Sequence, residues 1–521
     1  MVLNLVDLNY NNQNTQMTKQ TIKITRDDAT MLISPPLPTV KKFLTLTYRE
    51  MVKEFNPKSR RQVTKFKNLV EPMWREATPV DGTESIISYQ GFWRSLQEHL
   101  LAEGHSVEMH DVREDLLPKP NLKAACLGLR GLQKVWILRA LLDGNSGLLG
   151  APTRFGKTYG MTALCKAFPE ETTVVTAPGV DLCKQLHAHF KEMLPSREVL
   201  GVYTGSNNSR QSKGGITVCS ADSLQKMDPD ITGLMLLDEP HALVSTKRIP
   251  KVAAFYRSRK YGFGATLKGR FDKKDRLIEG LIGPIIANVT YEEAVDAGMI
   301  SPLKVLMVKV PFSKDTVPGQ RVDRATVYKR LLTQSSKMAK IVTEILANHI
   351  PDNWQTMAFI QDEKQANYYM ENAFPSSGTI AMAKLLSNKA RHELTEGIAN
   401  GDYWRVLASN IYVQGVTFPD LKVVINLAGG GANTTAIQKP GRLLQTRPHK
   451  NYGVMIDIVF ECTDQKEDSR KNPPYAGVVG ECWARHKAYV DIGYDVIFID
   501  DLAEIRPIVD GSYETPAVVD V

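Results

Sequence analysis

Residues 150–158 read Gly-Ala-Pro-Thr-Arg-Phe-Gly-Lys-Thr and lie between an apolar run and a helical pattern. A loop in that place can turn successive backbone N–H groups toward a polyphosphate. A lysine then meets the β and γ oxygens, and a hydroxyl ligates the accompanying magnesium. Gly156 lets the backbone approach, Lys157 supplies the charge and Thr158 the magnesium ligand. Two positions depart from the usual glycine-rich form. Ala151 stands where the first glycine often sits, and Arg154 occupies the middle of the loop, where its side chain is expected to aim out of the cradle. Roughly 80 residues further on, Leu236, Leu237, Asp238 and Glu239 end a second apolar run, the spacing of a second nucleotide motif. Asp238 would hold Mg²⁺ through water, and Glu239 would orient and polarise an attacking water, as in-line phosphoryl transfer requires. Pro240 and His241 follow, and no second His or Cys lies near His241 at ligand spacing. His241 therefore reads as a residue coupling the site to its surroundings, not as a metal ligand.

Chemistry of this kind needs strand ends to carry it. Short apolar runs at 148–151, 173–177, 216–220, 235–237 and 262–266 alternate with helical stretches such as 181–193. Strand–helix alternation predicts a parallel, doubly wound sheet, whose ligands bind at the carboxyl ends of the strands. A second alternating set follows at 305–310, 357–360, 378–382, 406–409, 423–427, 454–459 and 496–499. The expected divisions are a leader at 1–20, an accessory domain at 21–120, a nucleotide-binding domain at 121–300 and a second one at 301–521. The join is expected near 298–302, after a short acidic helix at 291–297.

With these motifs in order, the chain resembles the superfamily 2 helicases and translocases, most closely in its 262–272 stretch the DNA-translocating branch. Arg130 and Gln133 match the family's entry motif, whose glutamine reads the adenine edge. Pro178, Lys184 and Gln185 fall in the motif that holds the strand's phosphates. Gly264, Ala265 and Thr266 match the motif coupling hydrolysis to nucleic-acid grip, and Arg270 follows it. Gly415 with Thr417 and Phe418 looks like the fifth motif, and Gln438, Gly441 and Arg442 like the sixth, with Arg442 the candidate arginine finger. The resemblance implies two RecA-like doubly wound parallel-sheet domains in tandem, of class α/β, with ATP and Mg²⁺ bound between them. The fifth motif has Thr417 where Asp is usual. The sixth has Gln445 where a second arginine is usual, with Arg447 two residues beyond.

Composition suits this reading. The 521 residues carry a net charge of +8, a modest excess for a polyanionic partner. Six cysteines form no Cys-x-x-Cys pair, which fits core residues in a reducing compartment and points away from zinc. No apolar run approaches the ~18 residues of a membrane span, and no signal pattern opens the chain, so a cytoplasmic protein is expected. Between Lys41 and Arg75, ten Lys/Arg stand against three Glu, with Phe43, Tyr48, Phe55, Phe66 and Trp74 interleaved. That stretch is either a DNA-gripping module in which Arg60 and Arg61 touch phosphates, or a solvated helix face whose aromatics pack inward. Lys268, Arg270, Lys273, Lys274 and Arg276 form another basic stretch with the same two readings. A helix at 91–103 stopped by Gly104 and a strand at 105–112 complete a small N-terminal α/β accessory domain.

The sequence thus predicts a DNA-dependent ATPase. The N-terminal layout is similar to phage recombination helicases of the UvsW type, which implies remodelling of branched DNA or of duplex with single-stranded regions. An RNA helicase, and a nucleic-acid-binding protein with a degenerate ATP site, are the alternatives. No membrane partner is expected, and no protein partner can be read.

Overall fold

The computed structural model describes residues 19–512, apart from 57–60, 81, 115–116, 203–210, 244, 246–247, 268–272, 314–323, 376, 383–387, 410–417, 419, 431–438, 447–450 and 464–474. By contacts the chain divides into two compact units. One comprises residues 1–47 with 68–115, the other 48–67 with 116–521.

The smaller unit is built on a five-stranded mixed sheet in the order Trp74–Val80, Thr83–Tyr89, Thr30–Ser34, Thr21–Arg26, Ser106–Asp111. Its strands show the period-two pattern of a half-covered sheet: Ile22, Ile24, Met31 and Ile33 are fully buried while their neighbours face outward. The helix Trp93–Ala102 closes the apolar face through Leu96 and Leu100, and Gly104 follows at φ +84°. A left-handed residue just past a helix is where glycine stops it without steric cost.

The larger unit holds two all-parallel, seven-stranded sheets. The first runs Val199–Val202, Ile216–Ser220, Thr173–Ala177, Leu234–Asp238, Arg259–Gly264, Gly147–Gly150, Ile285–Asn288. The second runs Thr379–Met382, Arg405–Ser409, Gln355–Ile360, Leu421–Asn426, Gly453–Cys462, Leu303–Phe312, Asp495–Ile499. Central strands such as Thr173–Ala177 and Gln355–Ile360 are buried at every residue, the condition of a parallel sheet covered on both faces. These are two RecA-like α/β lobes in tandem. The first sheet's two edge strands, Val199–Val202 and Ile285–Asn288, were not among the sequence-predicted runs. Each is only four residues long.

Beyond Lys41, Lys42 and Phe43, which end the short helix Pro38–Phe43, the described part of the basic stretch is not helical. It forms the strands Thr45–Asn56 and Arg61–Pro72, which pair with each other and, among the described residues, with no other strand. Four residues join them, too few for a parallel crossover, so the pair is a hairpin. The helix-face alternative therefore falls, and the reason is local. Leu44, Leu46 and Tyr48 are buried with Thr45 and Thr47 between them, a period of two that a helix cannot satisfy.

Candidate nucleotide site

The first lobe places its chemistry at strand ends. The strand Gly147–Gly150 runs into the loop 151–156, and the helix Lys157–Ala167 starts beyond it. Gly156 turns the chain at φ +100°, and a Cβ there would stand 2.4 Å from Gln133 Nε2. Two buried contacts fix the loop from behind. Phe155 meets the Trp136 ring edge-on at 5.4 Å, and Gln133 Nε2 donates to the Phe155 carbonyl at 2.8 Å. The Gln133 Oε1 accepts from the Arg130 backbone N–H at 3.0 Å. Gln133, expected to read an adenine edge, is here almost wholly buried and holds the phosphate loop in shape.

The strand Leu234–Asp238 delivers the two carboxylates. Glu239 adopts φ +49°, and its backbone N–H donates to the Phe263 carbonyl at 2.9 Å, while Ala151 N–H donates to the Gly264 carbonyl at 3.2 Å. The end of the strand Arg259–Gly264, just before Ala265 and Thr266, thus ties both nucleotide motifs together. His241 Nδ1 lies 3.2 Å from Glu239 Oε2. Burial raises the Asp238 carboxyl to about 7, with the Glu239 charge adding to it and Lys157 opposing. Burial pushes Glu239 up as well, but His241 and Lys157 outweigh it and hold this carboxyl below its usual range.

The second lobe contributes the opposite wall. Arg442 sits on the 3₁₀ turn Pro440–Leu444, and Gly441 beside it touches the phosphate loop: a Cβ there would stand 2.2 Å from Thr153 Oγ1. Ser301, in the segment joining the lobes, donates its N–H to the Leu444 carbonyl at 2.9 Å and its hydroxyl to the Gln445 carbonyl at 3.0 Å. The resulting cleft of about 590 Å³ is lined from one side by Lys157, Thr158, Asp238 and Glu239 and from the other by Arg442 and Gln445. Burial, and then the charge of Arg154, lower the Arg442 guanidinium to about 10.

Several predicted residues stand elsewhere than expected. Arg154 lines the cleft instead of pointing out of the cradle. Its φ is +66°, a left-handed conformation that costs a non-glycine residue roughly 1–2 kcal/mol. Pro178, expected on a nucleic-acid face, also lines the cleft, because it follows Thr173–Ala177, the strand beside Leu234–Asp238. Lys184 and Gln185 are exposed on the helix Val180–Met193. Lys274 keeps its ammonium 5.2 Å from the centre of the Tyr48 ring, whereas Arg276 is half-buried, 4.0 Å from Glu279. Arg61 begins a strand of the hairpin. Arg60, Arg270, Gly415, Thr417, Gln438 and Arg447 lie outside the described residues. Tyr159 was missed: it is 45 % exposed and lines the cleft. An aromatic two residues into an apolar helix reads as core until the neighbouring wall is known.

Tandem parallel-sheet lobes with a phosphate loop facing an arginine-bearing turn define a nucleotide-driven motor of two RecA-like domains. Comparisons place it more narrowly. Residues 127–269 match the family model described as type III restriction enzyme, res subunit. A DNA 3'-5' translocase, XPB2, of Sulfurisphaera tokodaii is 23 % identical over 415 residues, covering 73 % of this chain and 91 % of that protein. Putative helicase 22 of a Sulfolobus islandicus filamentous virus is 22 % identical over 384 residues, 66 % of this chain and 67 % of that one. Among solved structures, the type ISP restriction-modification enzyme LlaBIII bound to DNA superposes with a TM-score of 0.52 at 14 % identity. That match covers 76 % of this chain but 33 % of LlaBIII. The chain is similar to the superfamily 2 helicases and translocases, and that likeness together with the two RecA-like lobes supports a nucleic-acid-dependent ATPase. No described helix is long and apolar enough to cross a membrane.

Proposed function

We propose that this chain is an ATP-driven DNA translocase that remodels branched DNA, such as forks and four-way junctions, in recombination, repair or replication. The observation that carries the ATP-driven part is the cleft between the lobes, with a lysine, a hydroxyl and two carboxylates opposite a half-buried arginine. Lys157 binds the β and γ phosphates and Glu239 orients the attacking water. Arg442 stabilises charge on the transferring phosphoryl group, worth on the order of 10³-fold or more. Gln133 and Gly156 shape the cradle, and Arg130 reaches the nucleotide beside it. His241, Ala265 and Thr266 relay the state of the site to the nucleic-acid face.

Magnesium fits here. A carboxylate whose proton affinity is raised by burial and then by a like-charged neighbour is relieved by a divalent cation. Asp238 and Thr158 would hold the ion, which would neutralise the phosphates when bound. DNA as the track is supported by the 23 % identity to a DNA translocase over 91 % of that protein's length, and by the net charge of +8. The preference for branches rests on the likeness of motifs and layout to UvsW-type helicases. Lys184, Gln185 and Arg270, with Arg60 and Arg61, are the proposed phosphate contacts.

The test is steady-state ATP hydrolysis with no nucleic acid, single-stranded DNA, duplex, a four-way junction or RNA, beside a Lys157→Ala control. Stimulation strongest with the junction and absent in the control is the expected result. Stimulation by RNA alone would overturn DNA as the track, and no turnover in any condition would overturn the motor.

A further inference from the structure

Among the described residues, the sixth motif brings one arginine, Arg442, to the cleft. Gln445, one turn beyond Arg442, reaches the same cavity, but it carries a neutral amide whose Oε1 is buried and accepts no hydrogen bond. The missing cation is present on the opposite wall. Arg154 comes from the phosphate loop, two residues before Gly156, and lines the cavity together with Arg442 and Gln445. Its backbone is left-handed, φ +66°, a conformation that favours glycine. A non-glycine residue kept in such a conformation at a ligand site marks a side chain whose presence offsets the strain.

Charge points the same way. Among the described side chains lining the cleft, Arg130, Arg154, Lys157 and Arg442 stand with Asp238 and Glu239, four cations against two carboxylates. The excess of two positive charges complements the two net negative charges of a magnesium triphosphate. Arg154 and Arg442 are close enough that the charge of the first disfavours that of the second. Two arginines held together against their repulsion are poised for an anion between them, and charge builds on the transferring phosphoryl oxygens in the transition state.

We propose that Arg154 is a catalytic arginine supplied by the phosphate loop itself, replacing from the first lobe the second arginine that Gln445 removes from the other. Arg154 and Arg442 then grip the transferring phosphoryl group from opposite lobes, and lobe closure assembles the pair. The inference rests on the ATPase reading above and goes beyond it.

The decisive variant is Arg154→Gly, because glycine adopts φ +66° without strain and the loop keeps its shape. With saturating DNA, kcat for ATP is expected to fall about 10²–10³-fold while KM changes less than about threefold. Affinity for ADP with aluminium fluoride should fall in parallel, and affinity for ADP alone should hold. Thermal stability should stay level or rise. Introducing Gln445→Arg into Arg154→Gly should recover at least about tenfold in kcat, and do little in the parent chain. The idea is overturned by an unchanged kcat, by equal losses for ADP and its fluoroaluminate complex, or by failure of Gln445→Arg to rescue. Any of these leaves the motor reading intact so long as the parent chain turns over ATP and Lys157→Ala does not.

Discussion

Asp238 and Asp457 are both buried aspartates in parallel strands, one in each lobe, yet their surroundings are opposite. Asp457 is fully buried and saturated with donors. Arg485 Nε reaches one oxygen at 2.7 Å and its other nitrogen reaches the second at 3.0 Å, with Tyr489 Oη at 2.9 Å, Asn426 Nδ2 at 3.0 Å and the Ile458 N–H at 2.8 Å. Burial works against its charge, but Arg485 and these hydrogen bonds outweigh it and hold the carboxyl below its usual range. Asp238 is 8 % exposed, has Glu239 beside it, and is raised to about 7. One carboxylate spends its charge inside the fold, the other keeps it for a ligand. The second is what a nucleotide site requires, since a satisfied acid has nothing left to offer a metal or phosphate.

The largest effect should come from the uncompensated pair. Glu239→Gln keeps the size of the side chain but cannot polarise water, and kcat should fall roughly 10²–10⁴-fold. ATP affinity, measured with a fluorescent analogue, should survive, and the melting temperature should move little. Turnover within a few-fold of the parent would break the contrast, because Glu239 would then be as structural as Asp457.

Asp457→Asn tests the other half. It replaces one acceptor oxygen with a donor NH2 among Arg485, Tyr489 and Asn426, which are themselves donors, and leaves a buried guanidinium without its counter-charge. Breaking such a pair costs about 3–5 kcal/mol, read as a lower denaturation midpoint. The damage should reach Lys439 and the sixth motif, since Lys439 Nζ donates to Asn426 Oδ1 at 2.8 Å in the same buried network.

Acid should erase that difference. The folded Asp457 pKa lies below its unfolded value, so its stabilisation is complete above the ordinary aspartate range and is lost as pH falls through the folded value. Denaturation midpoints of parent and Asp457→Asn should be furthest apart near neutrality and converge below about pH 4. A gap that stays constant across this range would mean that packing, not charge, holds the site.

The contrast also marks what the sequence could disclose. Strands buried on both faces read as continuous apolar runs, so both parallel sheets were legible, as were Lys157, Thr158, Asp238 and Glu239 at their ends. A four-residue edge such as Val199–Val202 carries too few positions to stand out. Asp457 appears in its strand only as one polar interruption, and its partner Arg485 lies on the helix Tyr475–Ile492, at no spacing that links them. The inward turn of Arg154 and the buried grip of Gln133 on Phe155 were equally hidden. Each depends on which wall faces the loop after folding.

The smallest effect concerns how tightly that wall closes. Gly441 is the point where the sixth motif meets the phosphate loop, and a Cβ would lie 2.2 Å from Thr153 Oγ1 and 2.9 Å from its Cβ. Alanine at 441 must push the lobes apart by a fraction of an ångström or displace Thr153. Neither change touches a core, so stability should hold. Arg442 would sit slightly too far from the phosphates, and a loss of about tenfold in kcat corresponds to only about 1.4 kcal/mol of transition-state stabilisation. Thr153→Ala in the same chain removes the clashing hydroxyl and should return part of the activity. If Gly441→Ala hydrolyses ATP at the parental rate, the lobes must separate at this contact before chemistry, and Arg442 would then act from a different closure.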